Sequence, residues 1–301
     1  MILTTEKQLL DRFTDIQLVD LKKILKFDGN KDVTAIVASR ALARLCQDLS
    51  FPNLRFIQLL SAGYEGVDID FFRERGIIVS NAANVYSVGM AEFIVYAMLM
   101  SAKRYNKRIK NNNIRYQRNY KYISELANKT VGIMGVGGIG GSVAKRLSCF
   151  DMQIIGYDLF TKEKEYFSRI YSVNQLNEFL PKCDYLILSL PLNDDTKNMI
   201  DKSVLDLMKK NVTLINVGRH GLFNQSDFLS VLKKNKEMTA ILDMFEIFPN
   251  PVTNPFRRLS NVKVLPGVSA ISQEINQKRL DLVTENIELV MQDKAPKYQI
   301  R

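Results

Sequence analysis

Three glycines follow an apolar run at a spacing that suits phosphate binding. The run Thr130–Met134 leads into Gly135-x-Gly137-x-x-Gly140, and a helix-compatible stretch follows at once. The first glycine permits a tight turn, the second lets the backbone approach a pyrophosphate, and the third lets helix pack on strand. The helix that follows would offer unpaired N–H groups and a positive dipole end to the phosphates, and Gly138 and Ile139 in the turn are further expected cofactor contacts. The pattern predicts the first half of a dinucleotide-binding unit.

An acidic residue stands where the second strand of such a unit would end. The apolar run Gln153–Tyr157 is followed by Asp158, whose carboxylate can accept hydrogen bonds from ribose hydroxyls and would repel a 2′-phosphate. Leu159 and Phe160 come next and supply no arginine for that phosphate. The sequence therefore predicts NAD as the cofactor and favours it over NADP. The alternative is a tight strand-to-helix turn without a ligand, in which the glycines serve backbone geometry only.

Short apolar runs alternate with helix-like segments along the whole chain. Strands are expected at 33–38, 54–60, 76–80, 130–134, 153–157, 185–190, 212–217, 239–244 and 262–265. Helices are expected at 41–49, 69–74, 87–102, 142–147, 204–208, 225–233 and 272–291. This alternation indicates βαβ units and an α/β fold with two doubly wound parallel sheets. The last helix could return to the first domain and make it discontinuous.

Composition places the chain among ordinary globular proteins. Of the 301 residues, 46% are hydrophobic and 25% are charged. Cys46, Cys149 and Cys183 show no paired spacing, so we expect reduced thiols and no metal site. No signal peptide is visible over residues 1–10, and the longest apolar stretch, 88–102, is too short to span a bilayer. We expect a cytoplasmic protein without a membrane partner.

The net charge of +10, from 42 basic and 32 acidic residues, is concentrated in part between residues 103 and 121. This stretch holds lysines, arginines and three tyrosines but no acidic residue. Basic and aromatic residues together could bind a nucleic acid or another polyanion. The other interpretation is a solvated connector beside a cleft that attracts an anionic cofactor and substrate. We favour the connector because no recognised nucleic-acid motif accompanies the stretch.

Several dispersed motifs resemble the D-isomer-specific 2-hydroxyacid dehydrogenase family, and they occur in the family's order. They are Leu60-Ser61-Ala62-Gly63 with Asp68, Met90-Ala91-Glu92, the glycine turn with Asp158, Leu190-Pro191-Leu192 with Thr196, Ile215-Asn216-Val217-Gly218-Arg219 and Leu242-Asp243-Met244-Phe245. The resemblance implies a Rossmann NAD-binding domain, at residues 101–275, inserted in a flavodoxin-like substrate domain at residues 1–100 plus 276–301. It also implies a homodimer.

The resemblance implies a hydride transfer between NADH and the carbonyl of a 2-keto acid, giving a 2-hydroxy acid. Arg219 falls on the arginine that pairs with the substrate carboxylate and polarises the carbonyl. The amides of Ala62 and Gly63 would hold the other side of the carboxylate, and Asp243 would orient the nicotinamide carboxamide. Further cofactor contacts are expected from Leu190, Pro191, Thr196, Val217 and Gly218.

The sequence departs from the family at the acid–base pair. Phe248 stands where the family has its glutamate, and Gly267 stands where it has its histidine. Loss of a positioned acid–base group typically removes about 10²–10⁴ in rate. His220 is the single histidine of the chain and follows Arg219 directly. It is a candidate replacement, although a surface or structural role is the default expectation because His220 would have to reach the substrate hydroxyl from the opposite wall.

Three functional hypotheses follow. The first is an NAD-dependent 2-hydroxyacid oxidoreductase with Arg219 and a non-standard proton donor. The second is a catalytically silent dinucleotide sensor or regulatory protein. The third is a polyanion-binding protein that uses residues 103–121. The glycine turn, Asp158 and Arg219 support the first two, whereas Phe248 and Gly267 favour the second. We expect the first, an oxidoreductase that binds NAD and reduces 2-keto acids slowly.

Overall fold

The computed structural model describes residues 1–22, 24, 30–103, 123–243, 254–265 and 267–300. The chain divides into two compact units, Met1–Tyr86 with Ser272–Arg301, and Ser87–Ile271. Each unit contains one parallel sheet with flanking helices, which confirms the predicted α/β fold with two parallel sheets. The basic stretch from 104 to 121 and the position of Phe248 lie outside the described residues.

The strands are β1 Ile2–Thr4, β2 Ile16–Leu18, β3 Ala35–Ala38, β4 Phe56–Leu59, β5 Ile78–Ser80, β6 Thr130–Met134, β7 Gln153–Tyr157, β8 Arg169–Tyr171, β9 Tyr185–Leu188, β10 Thr213–Asn216, β11 Thr239–Leu242 and β12 Val262–Val264. The helices are α1 Arg40–Leu45, α2 Ile69–Glu74, α3 Ser87–Ala102, α4 Gly138–Leu147, α5 Leu176–Phe179, α6 Lys202–Asp206, α7 Gln225–Lys234 and α8 Ile275–Met291. No described helix is long and apolar enough to cross a membrane.

The first unit is built on the strand order β2-β1-β3-β4-β5, with parallel neighbours throughout the described sheet. This order is the flavodoxin-like one. All residues of β3 and β4 are buried, as expected for parallel strands with helices on both faces. Ser39 and Asp68 each cap the helix that follows, because their side chains accept hydrogen bonds from the first-turn amides.

Helix α8 belongs to the first unit although it is distant in sequence. Its apolar residues Leu280, Val283 and Ile287 form a buried cluster that also contains Ile2 and Phe56. The helix is held by polar contacts as well. The fully buried Asn286 donates to Gln58 Oε1 at 2.7 Å and to the Lys297 carbonyl at 3.0 Å, and it accepts from the Lys297 amide at 2.7 Å.

The second unit has the strand order β12-β11-β10-β9-β6-β7-β8, again with parallel pairing. Counted from β6, this is the Rossmann order with an additional strand at one edge. The strand order reverses between β6 and β9, which are hydrogen-bonded neighbours. Open parallel sheets bind their ligands outside the carboxyl ends of the strands at such a switch point.

Helix α3 groups with the second unit. Its Ser101 hydroxyl lies 3.2 Å from the Thr213 hydroxyl on β10, and its Glu92 pairs with Arg146 on α4 at 3.1 Å. The predicted domain boundary at residue 100 leaves most of this helix in the first domain, whereas its contacts are with α4 and β10. The assignment of substrate and cofactor binding to the two units stays a prediction.

Candidate functional site

The glycine turn connects β6 to α4 through backbone contacts that exclude larger residues. Gly135 has a φ of 94°, a left-handed conformation that favours glycine, and a Cβ on it would lie 2.9 Å from the Ser189 carbonyl oxygen. A Cβ on Gly140 would lie 2.1 Å from the Gly135 carbonyl oxygen. Only glycine at these two positions therefore lets the turn close and α4 approach β6.

Gly137 differs from the other two glycines because it faces open space. It is the N-cap residue of α4, and beyond its chain neighbours no described atom lies within 4 Å of a Cβ built on it. The first N–H groups of a helix, here those that begin at Gly138 and Ile139, have no partners within the helix. An open backbone, unpaired N–H groups and the positive end of the helix dipole are what a phosphate requires. The residues present therefore fit a dinucleotide.

Asp158 lies at the carboxyl end of β7, against the backbone of the glycine turn. Its Oδ2 accepts a hydrogen bond from the Val136 amide at 2.6 Å, and its Oδ1 accepts one from the Phe160 amide at 3.1 Å. These bonds fix the position of the carboxylate. An ionised carboxylate has about four lone-pair sites, so it keeps the capacity to accept hydrogen bonds from ribose hydroxyls.

The loop after β9 lies on the other side of the switch point. The Ser189 hydroxyl donates to the Gly135 carbonyl at 2.9 Å and so ties this loop to the glycine turn. Leu190 and Pro191 follow, and the Thr196 hydroxyl donates to the Pro191 carbonyl at 2.7 Å. The Thr196 side chain thus stabilises the conformation of the loop by a hydrogen bond to the loop's own backbone.

The turn after β10 carries Arg219. The buried Asn216 organises this turn, because its Oδ1 accepts from the Gly218 amide at 2.9 Å and its Nδ2 donates to the Arg219 carbonyl at 3.1 Å. The amides of Val217 and Gly218 donate to the Leu188 carbonyl of β9 at 3.1 and 3.0 Å. The guanidinium of Arg219 also donates to the Gly218 carbonyl at 3.2 Å. Arg219 is therefore held at the carboxyl edge of the sheet.

His220 follows Arg219 directly and begins a short 3₁₀ helix, His220–Leu222. The residue is half-buried, and its carbonyl accepts from the Phe223 amide at 3.2 Å. Its assignment as an acid–base group stays a prediction.

Asp243, at the carboxyl end of β11, holds the segment that follows β12. Its Oδ1 accepts from the Val268 amide at 2.8 Å, and its Oδ2 accepts from the Ser269 amide at 3.3 Å and from the Ser269 hydroxyl. The Asp243 amide donates to the Asn216 carbonyl at 2.9 Å, which links the ends of β10 and β11. Gly267, directly before Val268, has a φ of 61°, and beyond its chain neighbours no described atom lies within 4 Å of a Cβ built on it.

In the first unit, the loop with Ala62 and Gly63 follows β4. Its carbonyl groups are held by side chains, since Asn81 Nδ2 donates to the Ala62 carbonyl at 2.7 Å and the Ser61 hydroxyl donates to the Gly63 carbonyl at 2.6 Å. Within the described residues, the amides of Ala62 and Gly63 donate no hydrogen bond to the protein. This arrangement leaves two N–H donors for an acceptor such as a carboxylate.

Comparison with known proteins identifies the family. Residues 93–269 match the family model described as "D-isomer specific 2-hydroxyacid dehydrogenase, NAD binding domain", which is more than half of the chain. The chain belongs to the D-isomer specific 2-hydroxyacid dehydrogenase family. This finding confirms the resemblance read from the motifs.

Two curated relatives and one solved structure illustrate the similarity. The chain is 32% identical over 291 residues to D-3-phosphoglycerate dehydrogenase of Methanocaldococcus jannaschii, covering 95% of this chain and 52% of that protein. It is 31% identical over 251 residues to glyoxylate reductase of Thermofilum pendens, covering 81% and 74%. The structure of NADPH-dependent glyoxylate/hydroxypyruvate reductase from Sinorhizobium meliloti with citrate has a TM-score of 0.79 and 24% identity, covering 99% and 96%. The chain thus spans about half the length of the first of these relatives.

In this family member, one sheet carries most of the predicted site residues. The second unit holds, at or after the carboxyl ends of β6, β7, β9, β10 and β11, residues Gly135, Gly137, Gly138, Ile139, Gly140, Asp158, Leu190, Pro191, Thr196, Val217, Gly218, Arg219, His220 and Asp243. Ala62 and Gly63 lie in the first unit, after β4. Within the described residues, no group of three or more His, Cys, Asp or Glu side chains could hold a metal ion.

Three residues of the site were not singled out as site residues from the sequence. Ser189 ties the loop after β9 to the glycine turn, and Asn216 organises the turn with Arg219. Asn216 had a sequence signal, because a polar residue ends the apolar run of β10. The third is Lys164, whose ammonium group donates to the Val136 and Gly137 carbonyls. No spacing rule marks Lys164, since only the fold brings it to the turn.

Proposed function

We propose that this member of the family binds NAD(H) at the glycine turn and interconverts a 2-keto acid and a 2-hydroxy acid, with slow turnover. The proposal rests on the free space beside the Gly137 backbone at the start of α4. Gly137 lies in the same turn as Val136, whose amide donates to Asp158. When bound, NADH supplies a hydride to a carbonyl carbon.

The proposed cofactor contacts come from the second unit. The amides at the start of α4 would bind the pyrophosphate, and Asp158 would accept hydrogen bonds from the ribose hydroxyls. The contact from Val136 to Asp158 at 2.6 Å keeps the carboxylate in place for that purpose. An ionised Asp158 would also repel a 2′-phosphate, so we propose that NAD is preferred over NADP.

The proposed substrate contact of the second unit is Arg219. Its planar guanidinium can pair with a carboxylate in a bidentate manner and polarise a neighbouring carbonyl. The turn that carries Arg219 is fixed by the Asn216 side chain and by hydrogen bonds to the end of β9. The backbone of Arg219 is therefore held in place. In the first unit, we propose the amides of Ala62 and Gly63 as donors to a substrate carboxylate.

Turnover is proposed to be slow because the expected acid–base pair is missing. Gly267 carries no ionisable group and stands where the family has its histidine, and Phe248 takes the place of the glutamate. The proton must then come from solvent or from a side chain in another position. The same observation favours a second candidate function, a dinucleotide sensor without turnover.

One experiment separates these possibilities. NADH fluorescence is titrated with the full chain, and the rate of NADH oxidation is then measured with glyoxylate, pyruvate and hydroxypyruvate. The oxidoreductase proposal expects saturable NADH binding and slow but measurable oxidation that depends on the 2-keto acid. Binding without any oxidation supports the sensor. Fast oxidation that is lost in His220→Ala contradicts the proposal of a missing acid–base group, and absence of NADH binding contradicts both functions.

A further inference from the structure

Lys164 lies across the start of the cofactor turn. It belongs to the exposed connection between β7 and β8. Its ammonium donates a hydrogen bond to the Val136 carbonyl and lies 3.3 Å from the Gly137 carbonyl oxygen. Its Cε lies 3.2 Å from a Cβ built on Gly141, in the first turn of α4. The positive charge therefore stands beside the N-terminus of the helix.

This is an unfavourable place for an isolated cation, because the N-terminus of a helix is the positive end of its dipole. Two backbone carbonyls offset part of that repulsion. A lysine beside unpaired helix N–H groups suits a phosphate group. The lysine contributes a positive charge, and the N–H groups contribute hydrogen-bond donors at the positive end of the helix dipole. The arrangement is one that an anion would stabilise.

The contacts of Val136 connect Lys164 with Asp158. Its amide donates to the Asp158 carboxylate at 2.6 Å, and its carbonyl accepts from Lys164. The carboxylate and the ammonium group are thus held by the two polar groups of a single residue. Asp158 is the side chain that would repel a 2′-phosphate. In a dinucleotide bound at this turn, Lys164 would contribute a positive charge on the opposite polar group of the residue that holds Asp158.

We propose that Lys164 admits the 2′-phosphate of NADP(H), so that the site binds both dinucleotides and prefers NADH only narrowly. This inference rests on the proposed function, because it requires a nicotinamide dinucleotide at the glycine turn. Asp158 favours NADH, and Lys164 limits the size of that preference. A lysine that instead contacted the pyrophosphate would support both dinucleotides equally.

The test measures dissociation constants for NADH and NADPH by isothermal titration with the full chain and its variants. Lys164→Gln removes the charge, Lys164→Arg keeps it, and Lys162→Gln is the matched control because Lys162 is an exposed lysine in the same connection. Both positions are exposed, and thermal melts check that each variant remains folded. In the wild type, we expect the two constants to differ by less than about tenfold.

In Lys164→Gln, NADPH binding should weaken about tenfold, as expected for loss of a charge-assisted contact, while NADH binding stays within about twofold. Lys164→Arg keeps the positive charge and Lys162→Gln leaves Lys164 in place, so both variants should keep both constants within about threefold of the wild type. Equal weakening of NADH and NADPH, or no change in either, overturns the inference and leaves the proposed function intact. No NADH binding by the wild type contradicts the proposed function itself.

Discussion

The glycine turn yields a prediction in which two neighbouring substitutions separate fold stability from cofactor binding. Gly140→Ala places a methyl group 2.1 Å from the Gly135 carbonyl oxygen, whereas ordinary contact begins at 3.4 Å. The helix would have to move by 1.3 Å, the difference between these distances. Gly137→Ala meets no described atom within 4 Å and has a φ of −75° that alanine adopts readily.

The expected magnitudes differ accordingly. Overpacking against a backbone carbonyl costs about 1–3 kcal/mol, so Gly140→Ala should lower Tm by roughly 2–12 °C. For Gly137→Ala, the change from glycine to alanine at an N-cap costs less than about 1 kcal/mol. Its methyl group would occupy the space for the pyrophosphate. Losing one charge-assisted hydrogen bond costs about 1.5–3 kcal/mol, so NADH binding should weaken roughly 10- to 100-fold.

Two assays test this pair of variants. Thermal melts without cofactor measure stability, and NADH fluorescence titration measures Kd. We expect Gly137→Ala to melt within a few degrees of the wild type and to lose most of its NADH affinity, whereas Gly140→Ala loses both. The reasoning is refuted if Gly137→Ala binds NADH like the wild type, or if Gly140→Ala is as stable as the wild type.

Further predictions concern the substrate, the core and the thiols. Arg219→Lys keeps the charge but loses the planar fork, so KM for the 2-keto acid should rise about tenfold while the Kd for NADH stays within about twofold; an unchanged KM in steady-state kinetics contradicts this role. Asn286→Leu removes three hydrogen bonds from a fully buried site and should cost about 2–4 kcal/mol in the free energy of unfolding; an unchanged denaturation midpoint would argue against the network. Burial raises the pKa of Cys46 and of Cys183 from 9.0 to about 12. A thiol reagent should therefore label only the exposed Cys149 in the native protein and all three cysteines in denaturant. The folded state keeps the thiol protons of Cys46 and Cys183, whereas the unfolded chain loses them above pH 9.0. The free energy of unfolding should therefore fall as pH rises from 9.0 toward 12. Denaturant melts at about pH 8 and about pH 10 measure this fall.

The parts of the fold that were predictable are those that local sequence determines. The glycine turn and Asp158 are separated by one helix and one strand, so their relation follows from a single βαβ unit. The strands β3, β4 and β9 are continuous apolar runs and were located within a few residues. Three strands were missed, namely β1, β2 and β8. Each has three residues, too few for a periodicity to show. The equally short β5 and β12 are predicted because they lie within the longer apolar runs 76–80 and 262–265.

The parts that were not predictable depend on tertiary contacts. Helix α3 is apolar on most of its surface, so its sequence does not indicate which sheet it packs on. Lys164 reaches the glycine turn only because the connection after β7 folds back over α4. Asp243 was expected to contact the nicotinamide, and the structure adds three hydrogen bonds to Val268 and Ser269 that no sequence rule specifies.

We propose above that the glycine turn of the second unit binds a nicotinamide dinucleotide. Isothermal titration of NADH into the full chain tests it most directly. We expect saturable binding of one NADH per chain with a micromolar Kd, and loss of most of that affinity in Gly137→Ala. Absence of saturable heat for the wild type, or equal heat for wild type and Gly137→Ala, would contradict it.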